Sequence, residues 1–221
     1  MKTYRYAIFD LDGTLLDTSE DLADSVNHAL AVFGLKPRTL EEVKQFIGNG
    51  VANLISLSAG SGADSSLKEK VLGEFRLHYA DNMANKTKPF DGIIPLLETL
   101  KQLGVGVAVS SNKFQQGVEE LCMKYFPGLY TAAFGEREGI ARKPDPAIVF
   151  TALGSLGAKP EETLYIGDSE VDGETAKNAG IDFVGVSWGL RPVELLLKSG
   201  AEFIVDNPGE LRVFFQSRAK A

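Results

Sequence analysis

Tyr6-Ala7-Ile8-Phe9-Asp10-Leu11-Asp12-Gly13-Thr14-Leu15-Leu16-Asp17 sets a short apolar run directly against two carboxylates and a glycine. Tyr6–Phe9 has the length and continuity of a strand buried in a sheet. Acids at the end of such a strand lose hydration, a cost that only a cation or a set of hydrogen-bond donors offsets. An Asp-Gly pair alone would equally close a hairpin. The residues beyond it run instead into a long helical pattern. The pair Asp10 and Asp12 is therefore read as a metal-assisted site, in which one carboxylate can attack while its neighbour moves a proton.

Outward from this segment, short β-branched runs alternate with helical patterns. The predicted strands are Tyr6–Phe9, Val105–Ser110, Ala132–Phe134, Thr163–Ile166, Asp182–Val186 and Phe203–Val205. Such alternation points to an α/β fold, a mainly parallel sheet with helices on both faces. Between the first two strands the rhythm breaks. From Asp17 to Asn85 no strand is predicted, and Leu22, Val26, Leu30 and Phe33 recur at helical spacing. Thr39-x-x-Glu42 and Ser66-x-x-Glu69 have the capping-box pattern that opens a helix. A helical insert leaving the core just after the first acids can sit over the site as a lid.

A chain of 221 residues, 44% hydrophobic and 24% charged, can bury a proper core with such an insert. Its net charge of −7 argues against nucleic acid or an anionic membrane as the main partner. Positive charge for an anionic ligand then has to be gathered locally. Cys122 is the single cysteine, so no internal disulfide forms, and its helical spacing with Val118 and Leu121 suits a small apolar filler. The polar start Met1–Tyr6 and the brief apolar run after it are too short for a signal peptide or membrane span, so the cytoplasm is the expected location.

Three further segments follow predicted strands: Val107-Ala108-Val109-Ser110-Ser111-Asn112-Lys113, Lys143-Pro144-Asp145-Pro146, and Gly167-Asp168-Ser169-Glu170-Val171-Asp172. In open α/β sheets ligands bind beyond the carboxyl ends of strands, which would gather these segments into one crevice. Singly, each has an ordinary explanation: a helix cap for Ser111, a solvated cation for Lys143, a turn for Asp168. Together with Asp10-Leu11-Asp12-Gly13-Thr14-Leu15, and in this order, they resemble the haloacid dehalogenase superfamily of phosphatases over nearly the whole chain. The resemblance implies a Rossmann-like core of residues 1–16 and 86–221 and a small all-helical cap at 17–85. It implies Asp10 as the nucleophile that forms an aspartyl-phosphate, with Asp12 protonating the departing alkoxide and then deprotonating water. Lys143 would act as a point charge on the phosphate and Asp10. Ser111 and the backbone amide of Asn112 would hold phosphoryl oxygens at the start of the following helix. Mg2+ would be bound by the Asp10 carboxylate, the Asp12 carbonyl, Asp168 and water, with Asp172 supporting these ligands.

Within the superfamily, Asp21-Leu22-Ala23, Asn27 with Ala29-Leu30, Phe46-Ile47-Gly48-Asn49-Gly50 and Trp188-Gly189-Leu190-Arg191-Pro192 are similar to the phosphoglycolate phosphatase group. The expected substrate is a small phosphorylated metabolite, 2-phosphoglycolate first, with sugar phosphates, nucleotides and pyrophosphate as alternatives. Lys44, about one helical turn before Gly48-Asn49-Gly50, is expected to read the distal carboxylate with that loop. The same residues would also suit an exposed lysine and a joint between helices. Similar sequences often carry arginine at position 44, which leaves single-substrate specificity open. The β-phosphoglucomutase group usually has a histidine where Leu22 stands and a Glu-Asp pair at Gly167-Asp168, so a mutase is disfavoured. Dehalogenases lack an acid matching Asp12. A receiver-type phospho-switch would share the sheet and the phosphorylated aspartate, but Asp12 and the insert favour turnover over storage. His28 and His78 lack metal-ligand spacing and are expected to be structural or exposed, and Trp188 is expected to pack at the core edge. The sequence leaves the oligomeric state open.

Overall fold

The computed structural model describes residues 2–218. Among these, in chain order, β1 (Tyr6–Phe9) and a short β2 (Leu16–Asp17) precede four helices, α1 (Ser19–Val32), α2 (Leu40–Phe46), α3 (Val51–Ala59) and α4 (Ser65–Asn82). A short β3 (Lys88–Pro89) and α5 (Ile93–Gln102) follow, then β4 (Gly106–Phe114), α6 (Gln115–Tyr125), β5 (Ala132–Glu136) and α7 (Ala147–Leu156). The rest is β6 (Thr163–Gly167), α8 (Glu170–Ala179), β7 (Asp182–Val186), α9 (Val193–Lys198), β8 (Phe203–Val205) and α10 (Pro208–Arg218). The described residues form two compact units, one from the chain up to Leu16 and from Pro89 onward, the other from Asp17–Lys88.

The first unit is built on a parallel sheet with strand order β5-β4-β1-β6-β7-β8. Alternate residues of a strand face opposite ways. Ile8, Ala108, Tyr165 and Phe183 turn to one side, where they form a continuous buried cluster with Ile148, Val149 and Ala152 of α7, Ala176 of α8 and Leu196 of α9. Ala7, Phe9, Val107, Val109, Leu164, Ile166 and Val184 turn to the other and are buried as well. A strand apolar at every position is stable only when both faces are covered, which is why β1 reads as a run rather than an alternation. β4 and β5 build outward on one side of β1 while β6, β7 and β8 build outward on the other. The carboxyl end of β1 therefore lies where the strand order reverses, the position at which open sheets of this kind form a crevice.

In the second unit α1 buries Leu22, Val26, Ala29 and Leu30, and α4 buries Val71, Phe75 and Tyr79, with the last two rings stacked at 5.2 Å. Phe33 is only part-buried and ends α1 as its C-cap. Thr39 and Glu42 form the capping box at α2. The second predicted box is displaced. Asp64 caps α4, its carboxylate accepting from the Leu67 amide, and Ser66 lies inside the helix. Aspartate is at least as good an N-cap as serine, so the earlier acid takes the position. Arg38 knits the unit together: its backbone amide donates to Asn27 (2.7 Å) and its guanidinium to the Ser58 carbonyl (2.8 Å) and Glu42 (3.1 Å). Among the described residues no helix is long and apolar enough to cross a membrane.

Candidate active site

The register of β1 assembles the acidic segment with two of the others. Phe9 stands opposite Val109 of β4 and Ile166 of β6, so Asp10 emerges beside Ser110 and Gly167. The Asp10 amide donates to the Ile166 carbonyl at 2.9 Å, which holds the acid at the sheet edge. Asp168 follows one step beyond β6. Asp172 comes from the first turn of α8, where it completes a capping box with Ser169.

Lys143 lies at the centre. Its side chain is 1% exposed, and its ammonium contacts Asp172 Oδ1 at 2.7 Å and Asp10 Oδ1 at 2.9 Å. It also donates to the Ser110 carbonyl (3.1 Å) and the Tyr165 hydroxyl (3.2 Å). Burial works against a charged lysine, but attraction from Asp10 and Asp172 outweighs it and holds this ammonium well above the usual lysine range. Asp10 Oδ1 also accepts from the Leu11 amide at 2.7 Å, so that carboxylate has one orientation. Burial, followed by repulsion from Asp172, pushes Asp10 well above the ordinary carboxylate range despite Lys143. Asp168 is pushed up to about 7, again chiefly by burial and then by Asp172.

Asp168 is also braced. Thr14 Oγ1 donates to its Oδ1 at 2.9 Å and the Leu190 amide to its Oδ2 at 2.7 Å, while Trp188 Nε1 donates to the Thr14 carbonyl at 3.0 Å. Two glycines permit this closeness. A Cβ on Gly13, whose φ is +86°, would stand 2.4 Å from Asp168 Oδ2, and one on Gly189 would stand 2.2 Å from the Asp168 Cβ. Gly13→Ala is therefore expected to destabilise by about 1–3 kcal/mol through overpacking, added to the backbone strain. Gly157→Ala, at φ +62° with open space around it, supplies the comparison, because it carries the strain alone. Equal losses in urea titrations of the two variants would refute the close approach.

The structure corrects the expected place of Ser111 and Asn112. They do not begin a helix: β4 continues to Phe114 and α6 starts at Gln115. The physical reason is that β4 keeps pairing with β5 through an irregularity. Ser110 stands opposite Phe134 and Phe114 opposite Glu136, so four steps on β4 match two on β5. The extra residues make a bulge that carries Ser111, Asn112 and Lys113, and Gln115 then bonds the Gly135 amide and the Ala133 carbonyl through its side chain. Ser111 Oγ accepts from the Lys113 amide at 3.2 Å. The Asn112 side chain accepts from the Lys143 amide at 2.9 Å and donates to its carbonyl at 3.1 Å, so it braces the lysine's backbone.

Lys113 has no role in the sequence reading but joins the site in the structure. Its side chain is 1% exposed, and its ammonium lies 3.0 Å from Asp12 Oδ1 and 3.1 Å from Oδ2. Thr14 and Leu190 stand in motifs without a role of their own in the sequence, and Tyr165 stands in none, yet each contacts a site residue. For Tyr165 the available signal is a tyrosine within the apolar run Leu164–Ile166.

Lys44, Gly48, Asn49 and Gly50 belong to the second unit. Lys44 pairs with Glu41 at 3.3 Å along α2, and Gly48 and Gly50, at φ 118° and 80°, shape the link from α2 to α3. His28 and His78 stack at 4.0 Å, bonded to Glu74 and Ser25 respectively. Cys122 is buried, and burial pushes its thiol up to about 12, which suits an inert filler.

Asp10, Asp168 and Asp172 each bring a carboxylate oxygen within 4.8 Å of the others, and all three are buried. Four acids, Asp10, Asp12, Asp168 and Asp172, face two lysines, Lys113 and Lys143, a formal excess of two negative charges at full ionisation. An all-oxygen, doubly anionic cluster fits a hard divalent cation such as Mg2+. Within it Asp172 is the most committed, with Oδ1 on Lys143 and Oδ2 on the Ser169 amide and hydroxyl.

Residues 7–186 match the family model of the haloacid dehalogenase-like hydrolases. A phosphoglycolate phosphatase of Pseudomonas aeruginosa is 34% identical over 94% of this chain and 78% of its own length. One from Aquifex aeolicus is 35% identical over 94% of both chains. A crystal structure of a Lactobacillus delbrueckii subsp. bulgaricus protein superposes with a TM-score of 0.91 at 37% identity, covering 96% of this chain and 98% of that one.

Proposed function

The chain belongs to the haloacid dehalogenase-like hydrolases and is a phosphoric monoester hydrolase, and from that premise we propose that it cleaves 2-phosphoglycolate through an aspartyl-phosphate on Asp10. The observation that carries the chemistry is the Lys143–Asp10 pair at 2.9 Å beside the other two buried carboxylates. Lys143 holds the Asp10 carboxylate in place and offsets the charge of an incoming phosphoryl group. An Asp10 oxygen bonds to phosphorus as the ester P–O bond breaks, and Asp12 gives its proton to the departing alkoxide. Water then attacks the phosphorus, its proton passes to Asp12, and the bond from phosphorus to Asp10 breaks to regenerate the enzyme. Mg2+ held by Asp10, Asp168 and the Asp12 carbonyl, with Asp172 orienting Lys143, would supply charge neutralisation when bound. In this proposal Ser111 and Asn112 serve the phosphoryl oxygens from the β4 bulge rather than from a helix terminus, and the setting is the cytoplasm.

Relatives named phosphoglycolate phosphatase support this substrate. A phosphate-release screen with Mg2+ over phosphoglycolate, sugar phosphates, nucleotides and pyrophosphate should give phosphoglycolate the highest kcat/KM. A higher value for another class would replace it. We assign Lys44 and the loop Gly48-Asn49-Gly50 to the distal carboxylate, because a charged substrate group needs a cation or amide donors to be selected. Lys44→Ala is then expected to raise KM for phosphoglycolate about 10-fold while moving nitrophenyl phosphate less than about 2-fold. Equal changes on the two substrates would remove Lys44 from substrate recognition.

A further inference from the structure

We infer that Lys113 is a positioning residue that acts through Asp12, an inference that rests on the acid–base role given to Asp12 above. A lysine buried to 1% exposure loses most of its hydration, and it is held where both oxygens of Asp12 lie at 3.0 and 3.1 Å from its ammonium. The backbone is built to put it there: the bulge between Ser110 and Phe114 adds two residues to β4 and carries Lys113. Bulges of this kind re-aim a side chain beside active sites. The two buried lysines thus divide the acids, Lys143 with Asp10 and Asp172, Lys113 with Asp12.

Asp12 sits in the turn before Gly13, and its side chain is 14% exposed. The ammonium holds the carboxyl group against itself, and when Asp12 carries its proton the carbonyl oxygen still accepts from Lys113, which leaves the hydroxyl for the leaving group. A proton donor displaced by about 1 Å loses on the order of 100-fold in rate. Lys113 therefore serves the first chemical step wherever the leaving group needs Asp12's proton, and matters little where it does not.

The test measures aspartyl-phosphate formation in a single turnover with Mg2+, comparing an alkyl phosphate with nitrophenyl phosphate. Lys113→Met is expected to slow the alkyl substrate about 10- to 100-fold and nitrophenyl phosphate less than about 3-fold, with KM nearly unchanged. Lys113→Arg should recover most of the loss. Adding Lys113→Met to Asp12→Asn should slow the enzyme no further. That double variant pairs two neutral side chains, so its melting temperature separates a chemical loss from a folding one. Equal slowing of both substrates by Lys113→Met, or a further loss in the Asp12→Asn background, would overturn the inference while the proposed function stands. If Asp12→Asn itself treats the two substrates alike, the acid–base role fails and the role of Lys113 falls with it.

Discussion

Asp10→Asn should yield a folded protein whose turnover is lower by on the order of 10^4-fold or more, because the nucleophile is the one group whose work no neighbour can take over. The substitution is nearly isosteric and removes a carboxylate that burial already disfavours. Lys143 keeps its 2.7 Å contact with Asp172, so no buried cation is stranded. The melting temperature should then stay within a few degrees of the parent, and thermal melts alongside turnover check both halves. Wild-type protein quenched in acid during turnover should carry one phosphoryl group on the peptide containing Asp10, and the variant none. Retained activity, or phosphate trapped on another residue, would remove Asp10 from the mechanism. Lys143→Met makes a contrast: it leaves Asp10 and Asp172 without their shared cation, and breaking a buried pair in this way costs about 3–5 kcal/mol. For that variant loss of activity and loss of stability arrive together, whereas for Asp10→Asn they part.

The sheet was legible because its strands are apolar on both faces. β1, β7 and β8 have the bounds that their apolar runs predict, and β6 runs one residue further. Where polar residues continue a strand, the pattern fails. Ser111-Asn112-Lys113 reads as the approach to a helix, yet these residues remain in β4, held by a β5 partner that no local rule reveals. The same limit applies to the site. Asp10, Asp12, Asp168 and Lys143 are visible because unusual residue types stand in recognisable order. The partners of each are invisible, since Lys113 meets Asp12 across 101 positions and Thr14 meets Asp168 across 154. Ser66 illustrates a smaller error of the same origin: two neighbouring residues could cap α4, and only the observed bond from the Leu67 amide to Asp64 decides between them. Trp188 reads from the sequence as core-edge packing, and in the structure it donates to the Thr14 carbonyl, while Thr14 in turn donates to Asp168.

Chelation should abolish activity, Mg2+ should restore it, and the thermal stability of the protein should depend on Mg2+ more strongly at high pH than at low. The sign follows from Asp168, whose carboxyl is raised from the ordinary aspartate value to about 7, chiefly by burial. Between those values the folded protein holds a proton that the unfolded chain has released. The unfolded state therefore binds fewer protons, and stability falls as pH rises through this window. Asp10, shifted in the same direction, adds to the trend. A divalent cation binds the ionised carboxylates and must compete with protons for them, so at about pH 5 it gains little and at about pH 8 it gains most. At a hundredfold excess over Kd the stabilisation is about 2.7 kcal/mol. For a domain of this size that is roughly 5–10 °C in Tm. Melts of the chelated and Mg2+-loaded protein at the two pH values read this directly, without any substrate. Asp168→Asn should flatten the pH trend of the chelated protein and remove most of the Mg2+ shift, since a neutral amide neither repels Asp172 nor attracts the cation. A Mg2+ shift of equal size at both pH values, or one that survives Asp168→Asn, would move the cation away from this cluster. Full turnover after exhaustive chelation would remove it from the mechanism.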